Sequence, residues 1–301
     1  MAGAGSRPEA SVSARRRIRL VALDLDGVVY REGVVLPWVR EALEDVLARG
    51  LDLRYVSNNS TAHRRTVAER LRKMGLPSGE DRVLTSGYVT GRWLRARLPS
   101  GAPVMVIGEE GLIAELSEAG FAAFHPGRPP GAETAGTGGA ADAAPPPDRP
   151  PAAVVVGMDR ALSFEALAAA QKAIMGGALF VATNRDATFP TPEGLVPGAG
   201  AIVAAVATAA QTEPVLIGKP SPALAEALAE GSGIEAGETL FVGDRVSTDI
   251  VMGHAAGMVT VLVLTGVTTA AAPKSTPADY IIQDLSELST ILDRLERRQV
   301  L

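Results

Sequence analysis

The run Arg19-Leu20-Val21-Ala22-Leu23-Asp24-Leu25-Asp26-Gly27 reads as a buried strand that stops at two carboxylates spaced by one residue. An unbroken apolar stretch, rather than an alternating one, marks a strand of a parallel sheet covered on both faces. Side chains two apart on an extended chain point the same way, so Asp24 and Asp26 share a site. Two carboxylates about 4 Å apart repel by roughly 4 kcal/mol at a surface-like dielectric. A cation or a shared proton has to offset that repulsion.

Three more apolar runs end in the same manner. Leu53-Arg54-Tyr55-Val56-Ser57-Asn58-Asn59-Ser60 passes into a helical pattern from Thr61 to Met74, with Gly75 as its stop. That pattern predicts Ser57 and Asn58 beside the unpaired N–H groups of a helix start, where anions bind readily. Pro214-Val215-Leu216-Ile217-Gly218-Lys219-Pro220 delivers Lys219 at a strand end, and Pro220 is predicted to open a helix running to about Glu230. Thr239-Leu240-Phe241-Val242-Gly243 ends in Asp244, followed by Arg245 and, five residues beyond Asp244, by Asp249. In open parallel α/β sheets the ligand crevice lies outside the carboxyl ends of the strands, so groups distant in sequence converge there.

Taken singly, each run has a plainer reading. Asp-x-Asp-Gly is common in turns, Ser57 or Ser60 can cap the following helix, Lys219 can be a solvated lysine, and Asp244 and Asp249 can be a turn residue and a first-turn helix charge. What those readings leave unexplained is four such coincidences in a fixed order, each after an apolar strand.

The order is that of a known family. On Asp24-Leu25-Asp26-Gly27 with Tyr30, Ser57-Asn58-Asn59, Gly218-Lys219-Pro220, and Gly243-Asp244-Arg245 with Thr248-Asp249, the chain resembles the haloacid dehalogenase superfamily phosphatases of subclass IIA. That group includes phosphoglycolate and para-nitrophenyl phosphatases. The stretch Ala182-Thr183-Asn184-Arg185-Asp186, followed by Pro197-Gly198-Ala199-Gly200, resembles the segment that closes the family's large cap domain. Asn184 and Asp186 themselves fit turn formation and substrate contact about equally.

The resemblance implies a doubly wound, Rossmann-like parallel-sheet α/β core with an inserted α/β cap, and a phosphatase acting on small phosphate monoesters. It implies Asp24 as a nucleophile forming an aspartyl-phosphate, and Asp26 as the acid that protonates the leaving alcohol and then deprotonates water. Mg²⁺ would be held by the Asp24 carboxylate, the Asp26 main-chain carbonyl and Asp244. Ser57, Asn58, Asn59 and Lys219 would bind the phosphoryl group, and Asp249 would orient Asp244 or a metal-bound water. The substrate type stays open among sugar phosphates, phosphoglycolate, glycerol phosphates and nucleotides. Two other readings remain: a protein phosphatase of the same chemistry, which a cap would hinder, and a non-catalytic module binding phospho-metabolites, which would not need Asp26.

Composition agrees with this assignment without having produced it. The 301 residues are 47% hydrophobic but only 4% aromatic, so the core is expected to be Ala, Val, Leu and Ile. A formal net charge of −5 argues against a nucleic-acid partner. The absence of cysteine excludes disulfides and thiolate metal sites, and His63, His125 and His254 have no metal-ligand spacing. Oxygen donors remain, which favour Mg²⁺. Two uncharged stretches, 195–212 and 250–273, are long enough to raise a membrane span but are broken by glycine and proline, so no membrane partner is expected. The expected location is the cytoplasm, and assembly into a homo-oligomer through the cap stays open.

The domain organisation predicted is a flexible tail over 1–16, a first core half over 17–97, a cap over 98–198 and a second core half over 199–301. Within the cap, residues 125–151 hold 8 Pro, 5 Gly and 6 Ala, a composition unable to build a packed core and read as a flexible insertion. Gly198-Ala199-Gly200 lacks the third glycine of a dinucleotide motif, and Gly218-Lys219-Pro220 lacks the hydroxyl residue of a Walker sequence.

Overall fold

The computed structural model describes residues 17–128, 149–191, 194–268 and 276–297. In chain order its strands are β1 (Leu20–Leu23), β2 (Tyr30–Arg31), β3 (Val34–Val35), β4 (Asp52–Ser57), β5 (Val83–Thr85), β6 (Pro103–Ile107), β7 (Ala122–Phe124), β8 (Ala153–Val156), β9 (Leu179–Ala182), β10 (Thr188–Thr191), β11 (Gly194–Pro197), β12 (Val215–Leu216), β13 (Thr239–Gly243), β14 (Val259–Val263) and β15 (Tyr280–Ile282). The helices are α1 (Val39–Ala48), α2 (Arg64–Lys73), α3 (Ser86–Arg95), α4 (Glu110–Glu118), α5 (Phe164–Met175), α6 (Ala199–Ala210), α7 (Pro222–Ser232), α8 (Val251–Ala255) and α9 (Leu288–Arg297).

The strands form two parallel sheets, one ordered β15-β14-β13-β1-β4-β5 and the other β12-β9-β8-β6-β7, with small antiparallel hairpins β2-β3 and β10-β11. The parallel-sheet α/β fold expected from the apolar runs is the one observed. Alternation along β1 decides which layer each residue joins. Val21 and Leu23 pack with Leu43 of α1, Leu71 of α2 and Leu292 of α9 on the outer face. Leu20 and Ala22 face inward, into a layer of Leu94 (α3), Leu116 (α4) and Leu228 (α7) that also meets Val104, Val155 and Val181 of the second sheet. The second sheet's far face carries α5 and α6 over Ile107, Val156 and Phe180. Each fully buried Leu, Ile or Phe contributes about 1.5–3 kcal/mol by leaving water.

Several boundaries differ from the sequence reading. Helix α2 starts at Arg64, not Thr61, because Asn59 Oδ1 accepts both the N–H and the hydroxyl of Thr61 at 2.8 Å and holds the preceding residues in a turn. His63 is the N-cap, its Nδ1 accepting from Arg65 N at 3.1 Å, so neither Ser57 nor Ser60 caps that helix. Helix α7 starts at Pro222, not Pro220; Ser221 caps it, and a proline still occupies the first turn. Helix α5 is capped by Ser163, whose Oγ accepts from Ala166 N at 3.1 Å.

The expected return to the first domain at 199 is not followed by the sheets. Helix α6 packs on α5, and β12 pairs with β9, so the second sheet's unit continues to Leu216. The tail 1–16 and most of the insertion, residues 129–148, lie outside the described residues. The insertion's first residues are ordered against the second sheet: His125 is buried with Nε2 2.9 Å from Asp159, and Arg128 also reaches Asp159. Among the described residues no helix is long and apolar enough to cross a membrane. The stretch 195–212 is mostly hairpin β11 and helix α6, and 250–273 holds α8 and β14.

The two layers approach closely where α4 passes the loop after β4. A Cβ added at Gly111 would lie 2.4 Å from the Ala62 main chain. Gly111→Ala is expected to lower stability by about 1–3 kcal/mol, although alanine is the better helix former by about 1 kcal/mol. Urea unfolding followed by circular dichroism checks the sign; a raised midpoint would contradict the packing described.

Candidate active site

Register brings three of the four strand-end motifs together. Leu23 pairs with Tyr55 of β4 on one side and Val242 of β13 on the other, so the residues that follow, Asp24, Ser57 and Asp244, emerge at one end of the sheet. Asp24 N donates to Val242 O at 2.9 Å, continuing the ladder by one residue. The fourth motif comes from elsewhere than expected. Strand β12 lies on the edge of the second sheet, and Gly218 N donates to Thr183 O at 2.8 Å, which carries Lys219 across from that sheet. A Cβ on Gly218 would sit 2.3 Å from Thr183 O and 2.5 Å from Asn58 Oδ1, so only glycine fits there.

Lys219 is 2% exposed, and its Nζ lies 2.8 Å from Asp24 Oδ1 and 2.7 Å from Asp249 Oδ1. Asn58 holds the lysine main chain at both ends: its Oδ1 accepts from Lys219 N at 2.7 Å and its Nδ2 donates to Lys219 O at 3.2 Å. Asp249 sits in a π-helical turn, Val246–Ile250, and its Oδ2 accepts from Arg245 N at 3.0 Å. Asp244 is wedged between Gly27 and Gly266, where an added Cβ would come within 2.6 and 1.9 Å of its Oδ2, and that oxygen accepts from Val267 N.

One carboxylate oxygen from each of Asp24, Asp244 and Asp249 lies within 4.8 Å of the others. Three acidic groups therefore face a single ammonium. Burial raises the Asp24 carboxyl well above its ordinary value, and the charges of Asp249 and Asp244 add to this while Lys219 opposes it. Burial, then the Asp249 charge, pushes Asp244 up to about 6. Burial also raises Asp26, against the pull of Lys219. Lys219 itself loses by burial, but Asp24 and Asp249 overcome that and hold its ammonium above the usual lysine range. An uncompensated negative cluster built of hard oxygen donors is suited to a divalent cation such as Mg²⁺.

A cavity of about 500 Å³ opens from this cluster, lined by Asp24, Asp26, Ser57, Asn58, Asn59, Lys219 and Asp244. Of the residues given a catalytic, binding or metal role on the resemblance, Asp249 does not line it and lies beneath with its side chain fully buried. Asp26 is beside the cluster rather than in it, and its place is set by a bridge to Tyr30. Ser57 Oγ accepts from Asn59 N at 3.1 Å, while the Asn59 side chain is committed to Thr61. The second sheet's unit supplies the opposite wall through Met158, Asn184, Asp186, Phe189 and Leu195.

Some participants escaped the sequence reading. Gly266 and Val267, which position Asp244, follow β14; the same strand-end rule applied to the run Val259–Val263 would have found them. Arg245 was noted only as part of a motif, yet it lines the cavity with its Nη1 3.5 Å from Asp186 Oδ1. Phe189 and Leu195, on hairpin β10-β11, carry no signal in one sequence that would place them there.

Comparison with known proteins agrees with this arrangement. A family model described as haloacid dehalogenase-like hydrolase matches residues 21–122, and an HAD-hydrolase-like model matches residues 216–288. The chain is 40% identical over 250 residues to a glycerol-3-phosphate phosphatase from Gallus gallus, covering 82% of this chain and 79% of that one. It is 31% identical over 272 residues to a dihydroxyacetone phosphatase from Corynebacterium glutamicum, covering 90% of each. Among solved structures, a p-nitrophenyl phosphatase from Archaeoglobus fulgidus superposes with a TM-score of 0.78 at 32% identity, over 94% of this chain and 100% of that one. A glycerol phosphate phosphatase from Mycobacterium tuberculosis, in complex with magnesium, gives 0.77 at 32% identity, over 92% of this chain and 78% of that one. With sequence, strand-end motifs and fold in agreement, the chain belongs to the haloacid dehalogenase-like hydrolases, among the phosphatases of subclass IIA.

Proposed function

We propose that this chain is a Mg²⁺-dependent phosphatase of small phosphate monoesters that works through an aspartyl-phosphate at Asp24. The observation that carries the reading is the joining of Asp24 to Lys219 and Asp249 at one strand end, with Asp244 close by and Asp26 at the mouth of the same cavity. In the same reading the first sheet and its helices are the catalytic core, and the second sheet with hairpin β10-β11 is the cap.

A carboxylate attacking a phosphate monoester meets negative oxygens, so both charges have to be neutralised and the in-line geometry held. Asp24 and Asp244, with the Asp26 main-chain carbonyl, would hold Mg²⁺, which when bound would supply that neutralisation. The rest falls to the chain. Lys219 fixes the Asp24 carboxylate through Oδ1 at 2.8 Å, and Leu25 N donates to the same oxygen. Asp24 attacks phosphorus while Asp26, whose hold on a proton burial strengthens, gives its proton to the departing alcohol oxygen. Asp26 then takes a proton from the water that cleaves the acyl phosphate, which restores both carboxyl groups. Ser57 and the main chain of 57–59 cradle phosphoryl oxygens. The Asn58 side chain acts indirectly, by holding Lys219 in place.

Relatives named for glycerol-3-phosphate, dihydroxyacetone and acid sugar phosphatase activities support a small polar substrate. A wall of cap residues over the cleft disfavours phosphoproteins.

Asp24→Asn is expected to reduce phosphate release from glycerol phosphate and p-nitrophenyl phosphate by at least about a thousandfold with an unchanged circular dichroism spectrum. Wild-type rates in that variant would refute the nucleophile. Mg²⁺ at about 100 times its Kd is expected to stabilise the wild type by about 2.7 kcal/mol in thermal unfolding. Asp244→Asn should lose most of that stabilisation, and an undiminished response would remove Asp244 from the metal site. Lys219→Met is expected to cost about 3–5 kcal/mol in urea unfolding, because it leaves Asp24 and Asp249 without their counter-charge.

A further inference from the structure

Glu115 is a carboxylate buried among leucines. It belongs to α4, whose Leu112 and Leu116 join the inner apolar layer, and it is 3% exposed. An apolar side chain would fill that place at lower cost, since a buried carboxylate gives up its hydration. What the carboxylate meets there is the loop after β4. Its Oε1 accepts from Arg64 N at 2.7 Å and from the Thr85 hydroxyl at 3.4 Å. Its Oε2 lies 3.6 Å from His63 Nε2 and 4.0 Å from Arg64 Nε. Both of those side chains have nearer acids: Arg64 Nη2 is 2.6 Å from Glu118 and 2.9 Å from Glu80, and His63 Nε2 is 3.1 Å from Glu118. The short bond of Glu115 is therefore the one to the main chain.

Arg64 opens α2, and the first turn of that helix carries no acid of its own. Glu115 answers the positive end of its dipole from across the junction. The helix start that the sequence offered to a phosphate is thus occupied by a carboxylate of the protein, and the phosphoryl group is left to the Ser57–Asn59 segment. That segment begins a loop fastened at both ends. At its near end Ser57 pairs with Thr85, and Ser86 Oγ donates to Asn58 O at 2.6 Å. At its far end Arg64 is bonded to Glu115. Glu115 holds both ends at once, because the Thr85 hydroxyl reaches the same oxygen as Arg64 N. Between the ends there is no slack, since Gly111, one turn before Glu115 on α4, meets the Ala62 main chain closely enough to exclude a Cβ. Glu115 does not line the cleft, so any effect it has on the substrate passes through this loop.

Resting on the phosphatase reading above, we infer that Glu115 is a positioning residue for phosphate binding: reaching over from the second sheet's unit, it fixes the Ser57–Asn59 main chain in the form that receives phosphoryl oxygens.

The test is competitive inhibition of p-nitrophenyl phosphate hydrolysis by inorganic phosphate, on the full chain with Mg²⁺. Glu115→Leu should raise the phosphate Ki by about tenfold and KM in parallel, with kcat changed by less than about threefold. Glu115→Gln keeps an oxygen within reach of Arg64 N and should stay within about threefold of wild type in Ki. Glu115→Asp keeps the charge but not the reach and should follow Glu115→Leu; it decides the matter if the leucine variant does not fold. The sign separates positioning from plain electrostatics, because loss of a negative charge would by itself tighten phosphate binding. A Ki within about twofold of wild type in the folded Leu and Asp variants overturns the inference, even where urea unfolding shows lost stability. A lowered Ki, or a Gln variant no better than Leu, overturns it as well. A wild type that releases phosphate from no monoester sinks the phosphatase reading and the inference with it, an outcome distinct from an active enzyme with an unmoved Ki.

Discussion

The site depends on one buried ammonium shared between two carboxylates. Taking Lys219, Asp24 and Asp249 out of water costs several kcal/mol for each ion, and only short contacts return it. The 2.8 and 2.7 Å separations supply those contacts. They also tie together three parts of the chain: the end of β1, the turn after β13 and the loop after β12. Because that triad leaves one acidic group in excess and Asp244 adds another carboxylate nearby, the cluster is short of positive charge. Burial first, and then the charges of the neighbouring carboxylates, raises Asp24 and Asp244, and a divalent cation held there would favour their ionised forms.

The lysine reaches Asp24 because the two sheets are joined by a continuous layer. Helices α3, α4 and α7 pack against both, and small residues at the closest approaches let main chains touch. Near the site, polar side chains replace apolar packing at the same junction. Asn58 brackets Lys219, Asn184 Nδ2 donates to Asn58 O at 2.8 Å, and Ser60 and Thr183 hydroxyls meet at 3.2 Å. A buried polar network is costly when partly satisfied and directional when complete, so it specifies one relative placement of the β4 and β12 loops. Asp186 enters the cleft through the same network.

Much of this was legible because strand-end chemistry survives in a linear reading. An apolar run that halts at Asp24, or at Asp244, announces a buried strand and a functional end at once. The unbroken apolar run of β1 was equally readable, since a strand covered on both faces carries no polar residue along its length. The helix start at Arg64 was not, because Asn59 diverts the Thr61 N–H by a local bond that competes with the helical pattern. Nor was the home of β12, a two-residue strand too short to carry a signal of which sheet it joins.

From its residues alone the chain declared a parallel α/β architecture, a carboxylate pair at a strand end and the order of four motifs, because burial periodicity and the repulsion of like charges are local properties. Tertiary structure decided that Lys219 arrives from the second sheet, that Asp249 pairs with it, that Gly266 and Val267 hold Asp244, and that Asp186 faces Arg245. These are encounters between segments up to nearly two hundred residues apart, brought within bonding distance by neighbouring strand ends of the first sheet and by the packing of the second sheet against it.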